Sequence, residues 1–159
     1  MTERAAALLA ALVARGWTVT TAESCTGGMV AAAITDIAGS SKVFEQGFVT
    51  YSNTAKITML GVAPETLDAV GAVSEEVVRE MAQGARDRAG ATLAVAISGI
   101  AGPGGSEHKP EGRVCFALAS DAAEIFSETV EFGALGRAEV RRAARDHALD
   151  LLLKASQSG

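Results

Sequence analysis

The sequence predicts an α/β fold, a three-layer arrangement with a mixed sheet of about five strands and helices over both faces. Three observations predict it. Short β-prone runs alternate with helical stretches through the first hundred residues. The run 92–97 is apolar throughout, as a strand buried on both faces requires. The runs 113–119 and 125–132 are separated only by a short turn at Asp121, which reads as an antiparallel hairpin and rules out a purely parallel sheet. The 159 residues fit one domain, taken as residues 1–159, and 48% hydrophobic with 21% charged residues is a globular balance.

The elements follow in order. Residues 2–15 form an amphipathic helix stopped by Gly16. Residues 17–22 alternate and carry β-branched side chains, so they read as a strand. A tight connection, 23–28, leads into a helix over 29–37. A second strand is expected over 44–51, broken by Ser52 and Asn53, which can cap a short helix ending at Gly61. Pro64 opens another helix that ends at Gly71. Ser74 is an N-cap for a helix to about residue 89, with Glu75 and Glu76 in its first turn. A Gly/Pro-rich loop, 98–112, precedes the hairpin, and a helix over 136–154 closes the chain.

Composition removes several functions. Two cysteines, Cys25 and Cys115, are too few for a four-cysteine or three-cysteine zinc site. A zinc site of that kind is therefore not expected, and no cofactor is expected. His108 and His147 lie in unrelated contexts, so a serine–histidine triad has little to draw on. Net charge is -5 and aromatics are 4%, unlike a nucleic-acid surface with its basic face and stacking rings. No run reaches the length of a membrane span. A cytoplasmic protein with a small-molecule substrate is the resulting expectation. The apolar faces of several helices are compatible with a homodimer.

Polar and glycine-rich residues gather in three places: 23–28, 51–56 and 98–105. Each follows a predicted strand, and in open α/β sheets ligands collect at the carboxyl ends of strands. Ser24 sits at a strand-to-helix turn, where free amides favour a developing anion. It is either a nucleophile or an N-cap, with Cys25 and Thr26 as rival nucleophiles. A serine needs a base, and with histidine scarce a neutral lysine is the alternative. Lys42, Lys56, Lys109 and Lys154 are the lysines. Lys56 lies among Ala55, Ile57, Met59 and Leu60, the apolar setting that lowers a lysine pKa, though a solvated helix lysine has the same spacing. Tyr51, the only tyrosine, can relay a proton, pack over a ring or simply end a strand. The 98–105 loop lacks the Gly-Lys-Ser/Thr ending of a P-loop. Its Ser98 and Gly99 can contact a ligand, and Arg137, Arg141 or Arg142 can hold a small anion or merely solvate the last helix.

These segments together resemble a known family. Thr-Ala-Glu-Ser-Cys-Thr-Gly-Gly at 21–28, Gly-Phe-Val-Thr-Tyr-Ser-Asn at 47–53 with Lys56, Gly-Ala-Val-Ser-Glu at 71–75 and Ser-Gly-Ile-Ala-Gly-Pro at 98–103 occur in the order found in the CinA C-terminal domain family, the nicotinamide-nucleotide amidases. The resemblance covers nearly the whole chain. It implies an α/β/α sandwich that hydrolyses the carboxamide of nicotinamide mononucleotide, without metal, through a serine and a lysine. Ser24 matches the nucleophile and Lys56 the base. Tyr51, Thr26, Gly27, Gly28, Ser98 and Gly99 match positions that shape the pocket. Amides from Cys25 to Gly27 are expected to hold the oxyanion, and Arg142 or glycine amides the phosphate. Two departures stand out: the 102–110 loop is shorter than the usual family version, and Leu135-Gly136-Arg137 replaces a frequent Gly-Asp-Arg. The rival from another class is a non-catalytic nucleotide-binding module; a third reading is an amidase for a different nucleotide amide.

Overall fold

A computed structural model describes residues 2–106, 108–121 and 123–158. Its five-stranded sheet has the order β2-β1-β3-β4-β5. β1 (Val19–Glu23) pairs in parallel with β2 (Phe48–Val49) on one side and with β3 (Leu93–Gly99) on the other. β4 (Arg113–Ser120) and β5 (Phe126–Glu131) follow antiparallel, as the late hairpin requires. Three helices, α1 (Thr2–Arg15), α2 (Met29–Thr35) and α6 (Arg137–Gln157), cover one face. The others, α3 (Asn53–Leu60), α4 (Pro64–Val70) and α5 (Glu75–Ala89), cover the other. The result is the expected α/β/α sandwich. No described helix is long and apolar enough to cross a membrane.

The period-two alternation of the central strands divides the core by size. Leu93, Val95, Ile97, Val114 and Phe116 point toward α1, α2 and α6. Ala94, Ala96, Cys115, Ala117 and Ala119 point toward α5. Small residues on that side let α5 lie close to the sheet. The same closeness recurs between helices: a Cβ on Gly84 of α5 would stand 1.9 Å from the Leu60 carbonyl oxygen at the end of α3.

Several boundaries move. Trp17 is not in β1, because its amide still bonds to Leu12 O as α1 unwinds. The strand instead runs on to Glu23. The expected strand over 44–51 shrinks to Phe48–Val49 plus an isolated bridge between Val19 and Phe44. Gly47 lies so close to β1 that a Cβ there would be 2.7 Å from Thr21 Oγ1. The Thr20 hydroxyl, rather than a ladder amide, donates to Gln46 O. α2 ends at Thr35, two residues early, with Asp36 as its C-cap. α6 begins at Arg137, with Gly136 as N-cap, and extends to Gln157. Of the expected domain, Met1, Glu107, Ala122 and Gly159 lie outside the described residues.

Chain order places the site. From β1 the chain goes to one side to form β2, then crosses to the other to form β3. Strand direction diverges at β1, the kind of switch point where a crevice opens beyond the carboxyl ends. Ser24, Thr50 and the Ser98–Gly99 end of β3 all meet at that edge.

Candidate active site

Ser24 is the first residue after β1, and its amide still bonds to Ile97 O of β3 at 3.0 Å. It is therefore held by the sheet rather than by a mobile loop. The turn that follows needs backbone that glycine adopts readily: Gly27 and Gly28 have φ of 56° and 103°. The amides at the start of α2 are filled from behind. Glu23, wholly buried, accepts from Gly28 N, Val30 N and Ala31 N at 2.9–3.1 Å. Gly27 N bonds to Ser24 O. Among the described residues, the amides of Cys25 and Thr26 make no hydrogen bond. The expected oxyanion donors from Cys25 to Gly27 thus narrow to those two.

Lys56 comes from α3, capped by the Ser52 hydroxyl on Ala55 N. Its side chain is 1% exposed. The amino group has three neighbours: Ser24 Oγ at 3.0 Å, Thr50 O at 2.9 Å and Tyr51 O at 3.2 Å. Two of these are carbonyls, which only accept. A neutral amine has two N–H groups for them and one lone pair left, directed at the serine. Among the described residues, no carboxylate pairs with this lysine. Burial lowers its pKa from 10.5 to about 8, which makes the neutral form accessible near physiological pH.

The rival nucleophiles fare worse. Burial raises the Cys25 thiol to about 11, so it is protonated at neutral pH. The Thr26 hydroxyl is buried, has no hydrogen-bond partner among the described residues and does not line the cavity. Both cysteines are free thiols.

A cavity of about 180 Å³ opens over the pair. It is lined by Ser24, Cys25, Tyr51, Lys56, Ser98 and Gly99 from the expected set, and by Asn53, Ala72, Val73, Ser106 and Arg137 beside them. Gly99 has no room for a side chain, since a Cβ would stand 2.6 Å from Val114 Cγ2. Lys109 pins the opposite wall by donating to Val70 O and Val73 O at 2.8 and 2.6 Å. Neither His108 nor His147 lines the cavity; His147 pairs with Glu128 and lies against Phe116 with the rings tilted by 51°. A larger hollow of about 630 Å³ lies over α5, β4 and β5, where the Thr129 hydroxyl donates to Glu75 at 2.9 Å and lies against the Cys115 thiol.

Tyr51 lines the cavity without its phenol touching Lys56, and other expected residues sit outside the lining. Tyr51 is 61% exposed; its carbonyl, not its phenol, touches Lys56, while the phenol oxygen accepts from Arg137 at 2.8 Å. Gly27 and Gly28 lie outside the lining, packed against Arg141 and Val49. Arg142 points away from the cavity and pairs with Glu139 on the exposed face of α6. The arginine in the cavity is Arg137, five residues earlier, which also donates to Gly102 O. Arg141 braces the nucleophile's turn from below, donating to Cys25 O at 2.9 Å and Thr26 O at 3.3 Å.

Comparison with known proteins finds similarity along nearly the whole chain. The family model of the CinA C-terminal domain matches residues 1–156. The chain is 61% identical over 143 residues to the nicotinamide-nucleotide amidohydrolase PncC of Escherichia coli K12, covering 89% of this chain and 86% of that protein. It is 58% identical over 124 residues to PncC of Enterobacter agglomerans, covering 77% of this chain and 76% of that one. The crystal structure of a competence/damage inducible protein, CihA, from Agrobacterium tumefaciens superposes with a TM-score of 0.94 at 46% identity, over 98% of this chain and 95% of that one.

Proposed function

The chain belongs to the CinA C-terminal domain family, and from that premise we propose that it is a nicotinamide-nucleotide amidohydrolase working through Ser24 and Lys56. The observation that carries the mechanism is the buried contact of Lys56 Nζ with Ser24 Oγ, with the lysine's other two partners restricted to carbonyls.

Neutral Lys56 takes the Ser24 proton as the hydroxyl attacks the carboxamide carbon of nicotinamide mononucleotide. The Cys25 and Thr26 amides receive the oxyanion. Lys56, now protonated, returns the proton to the departing nitrogen and ammonia leaves. Water, activated by the same lysine, hydrolyses the acyl-enzyme to nicotinate mononucleotide. Arg137 takes the place first given to Arg142 as the phosphate ligand. Two of its five N–H groups are engaged, on Gly102 O and Tyr51 Oη, and no carboxylate pairs with it among the described residues. Its charge is thus available to an anion.

The same reading holds residues 1–159 as one domain. It carries a small nucleotide substrate with no nucleic acid, a cytoplasmic setting and a chain able to pair as a homodimer. The net charge of -5 supports the nucleic-acid exclusion.

The test is ammonia release from nicotinamide mononucleotide by the wild type, Ser24→Ala and Lys56→Met, each checked for folding by circular dichroism. Loss in both variants is expected. Full activity in either removes the serine–lysine mechanism. An inactive wild type that still binds the nucleotide makes the chain a binding module. Turnover of a different amide in a substrate panel redirects the specificity.

A further inference from the structure

The 100–112 loop forms one wall of the cavity through Ile100, Ala101 and Ser106, and α6 supplies another through Arg137. One side chain ties these walls together. Glu111 Oε1 accepts from Gly104 N at 2.7 Å, within the loop. Its other oxygen, Oε2, accepts from Gly136 N at 2.9 Å, at the N-cap of α6. Gly136 has no side chain of its own to cap the helix. The carboxylate also lies flat on the loop: a Cβ on Gly102 would stand 2.6 Å from Glu111 Cδ. Gly102 O in turn accepts from Arg137. Glu111 and Arg137 therefore grip the same loop two residues apart, one through the Gly104 amide and the other through the Gly102 carbonyl.

Glu111 does not line the cavity, and it makes no ion pair with Arg137 among the described residues. It can thus orient the start of α6 without neutralising the guanidinium. We propose that Glu111 is a positioning residue for substrate binding, which fixes the 102–106 loop and the first turn of α6 so that Arg137 presents its free N–H groups to the substrate's phosphate. This rests on the amidohydrolase reading given above. A carboxylate accepting two backbone amides is a charge-assisted clamp, stronger than a neutral pair. Its loss releases the loop and the helix end together. The Ser24–Lys56 contact lies on the other side of the cavity, held by β1, β3 and α3, so the chemical step is left intact.

The experiment is a double-mutant cycle between Glu111 and Arg137, reading kcat and KM for nicotinamide mononucleotide. Glu111→Ala is expected to raise KM about tenfold with kcat within about twofold, the pattern of lost uniform binding. In an Arg137→Ala background the same change should add less than about twofold, because the residue acts through the arginine. KM effects that simply multiply, a fall in kcat at constant KM, or no change in either constant would each overturn the proposal. Glu111→Gln keeps one acceptor and should fall between wild type and Ala; it carries the test if the Ala variant melts early. The nucleotide's dissociation constant is measured in parallel by calorimetry on Ser24→Ala forms of all four proteins. Should the wild type release no ammonia, the amidohydrolase reading fails, while this binding cycle still judges Glu111: a weakening that vanishes without Arg137 supports it, and equal or absent binding throughout overturns it.

Discussion

Lys56 Nζ stands 3.0 Å from Ser24 Oγ, although the two residues are 32 positions apart and come from opposite sides of the sheet edge. The contact is buried and, among the described residues, no carboxylate pairs with the lysine, so burial is what decides the lysine's charge. With a pKa of about 8, the base is mostly protonated at pH 7 and mostly neutral at pH 9.

The pH profile follows directly. If neutral Lys56 is the base, kcat/KM rises about tenfold per unit pH below 8 and levels off above it. The profile of ammonia release between pH 6 and 10 should show one acid limb with a midpoint near 8. A midpoint near 6.5, the ordinary histidine value, would point to another base.

Stability carries the same signature with its own sign. Below pH 8 both folded and unfolded chains hold the Lys56 proton, and the cost of burying the ammonium is fully present. Between 8 and 10.5 only the unfolded chain keeps it, so the unfolded state binds more protons and stability rises with pH. The full difference is worth about 3 kcal/mol, at about 1.4 kcal/mol per tenfold. The buried Cys25 thiol pulls the other way above pH 9, but it is present in both proteins when wild type is compared with Lys56→Met. Urea titrations should therefore show the wild type gaining on the variant from pH 8 to 10. A constant difference would mean that the lysine is already neutral, or solvated, at pH 7.

Most of the frame was legible from local pattern. The run 92–97 could be read as a doubly buried strand because burial on both faces leaves an unbroken apolar stretch. Ser74 and Ser52 could be read as caps because a cap is a local hydrogen bond, and both accept from the amide three residues on. Lys56 stood out by its apolar neighbours. What escaped was set by contacts between distant segments. Beside the short β2, Gly47 lies close against Thr21, a tertiary approach that no property of 44–51 encodes. Glu23 looked like part of a turn, and only the fold shows its carboxylate closing α2 from behind. The choice among arginines had a signal that went unused. Arg137 and Arg141 are four residues apart and share a helix face, whereas Arg142 is turned by about 100° to solvent.

Arg141 gives a second kinetic contrast. Its guanidinium holds the carbonyls of Cys25 and Thr26, and the first of these shares its peptide plane with the open Thr26 amide. Arg141→Ala is expected to lower kcat by about tenfold to a hundredfold, the scale of a loosened oxyanion donor, with a smaller change in KM. Arg137→Ala should do the reverse and raise KM. Steady-state kinetics on the two variants separates the roles; equal effects on KM would assign both arginines to the phosphate.

Gly84 links packing to chemistry. It lies in the middle of α5, where glycine costs a helix about 1 kcal/mol relative to alanine, so propensity alone predicts that Gly84→Ala stabilises. The structure predicts the opposite. The new methyl would sit 1.9 Å from Leu60 O and 2.8 Å from Leu60 C, backbone atoms that cannot rotate away. α3 must then move off α5, and overpacking of this kind costs about 1–3 kcal/mol. Lys56 is one turn upstream of Leu60 on the same helix, so the shift carries the amino group with it. The variant should melt earlier than wild type and also lose kcat at temperatures where it is fully folded. A Gly84→Ala protein that melts later at unchanged kcat would show that the α3–α5 approach is slack and that Lys56 is positioned by Thr50 and Tyr51 alone.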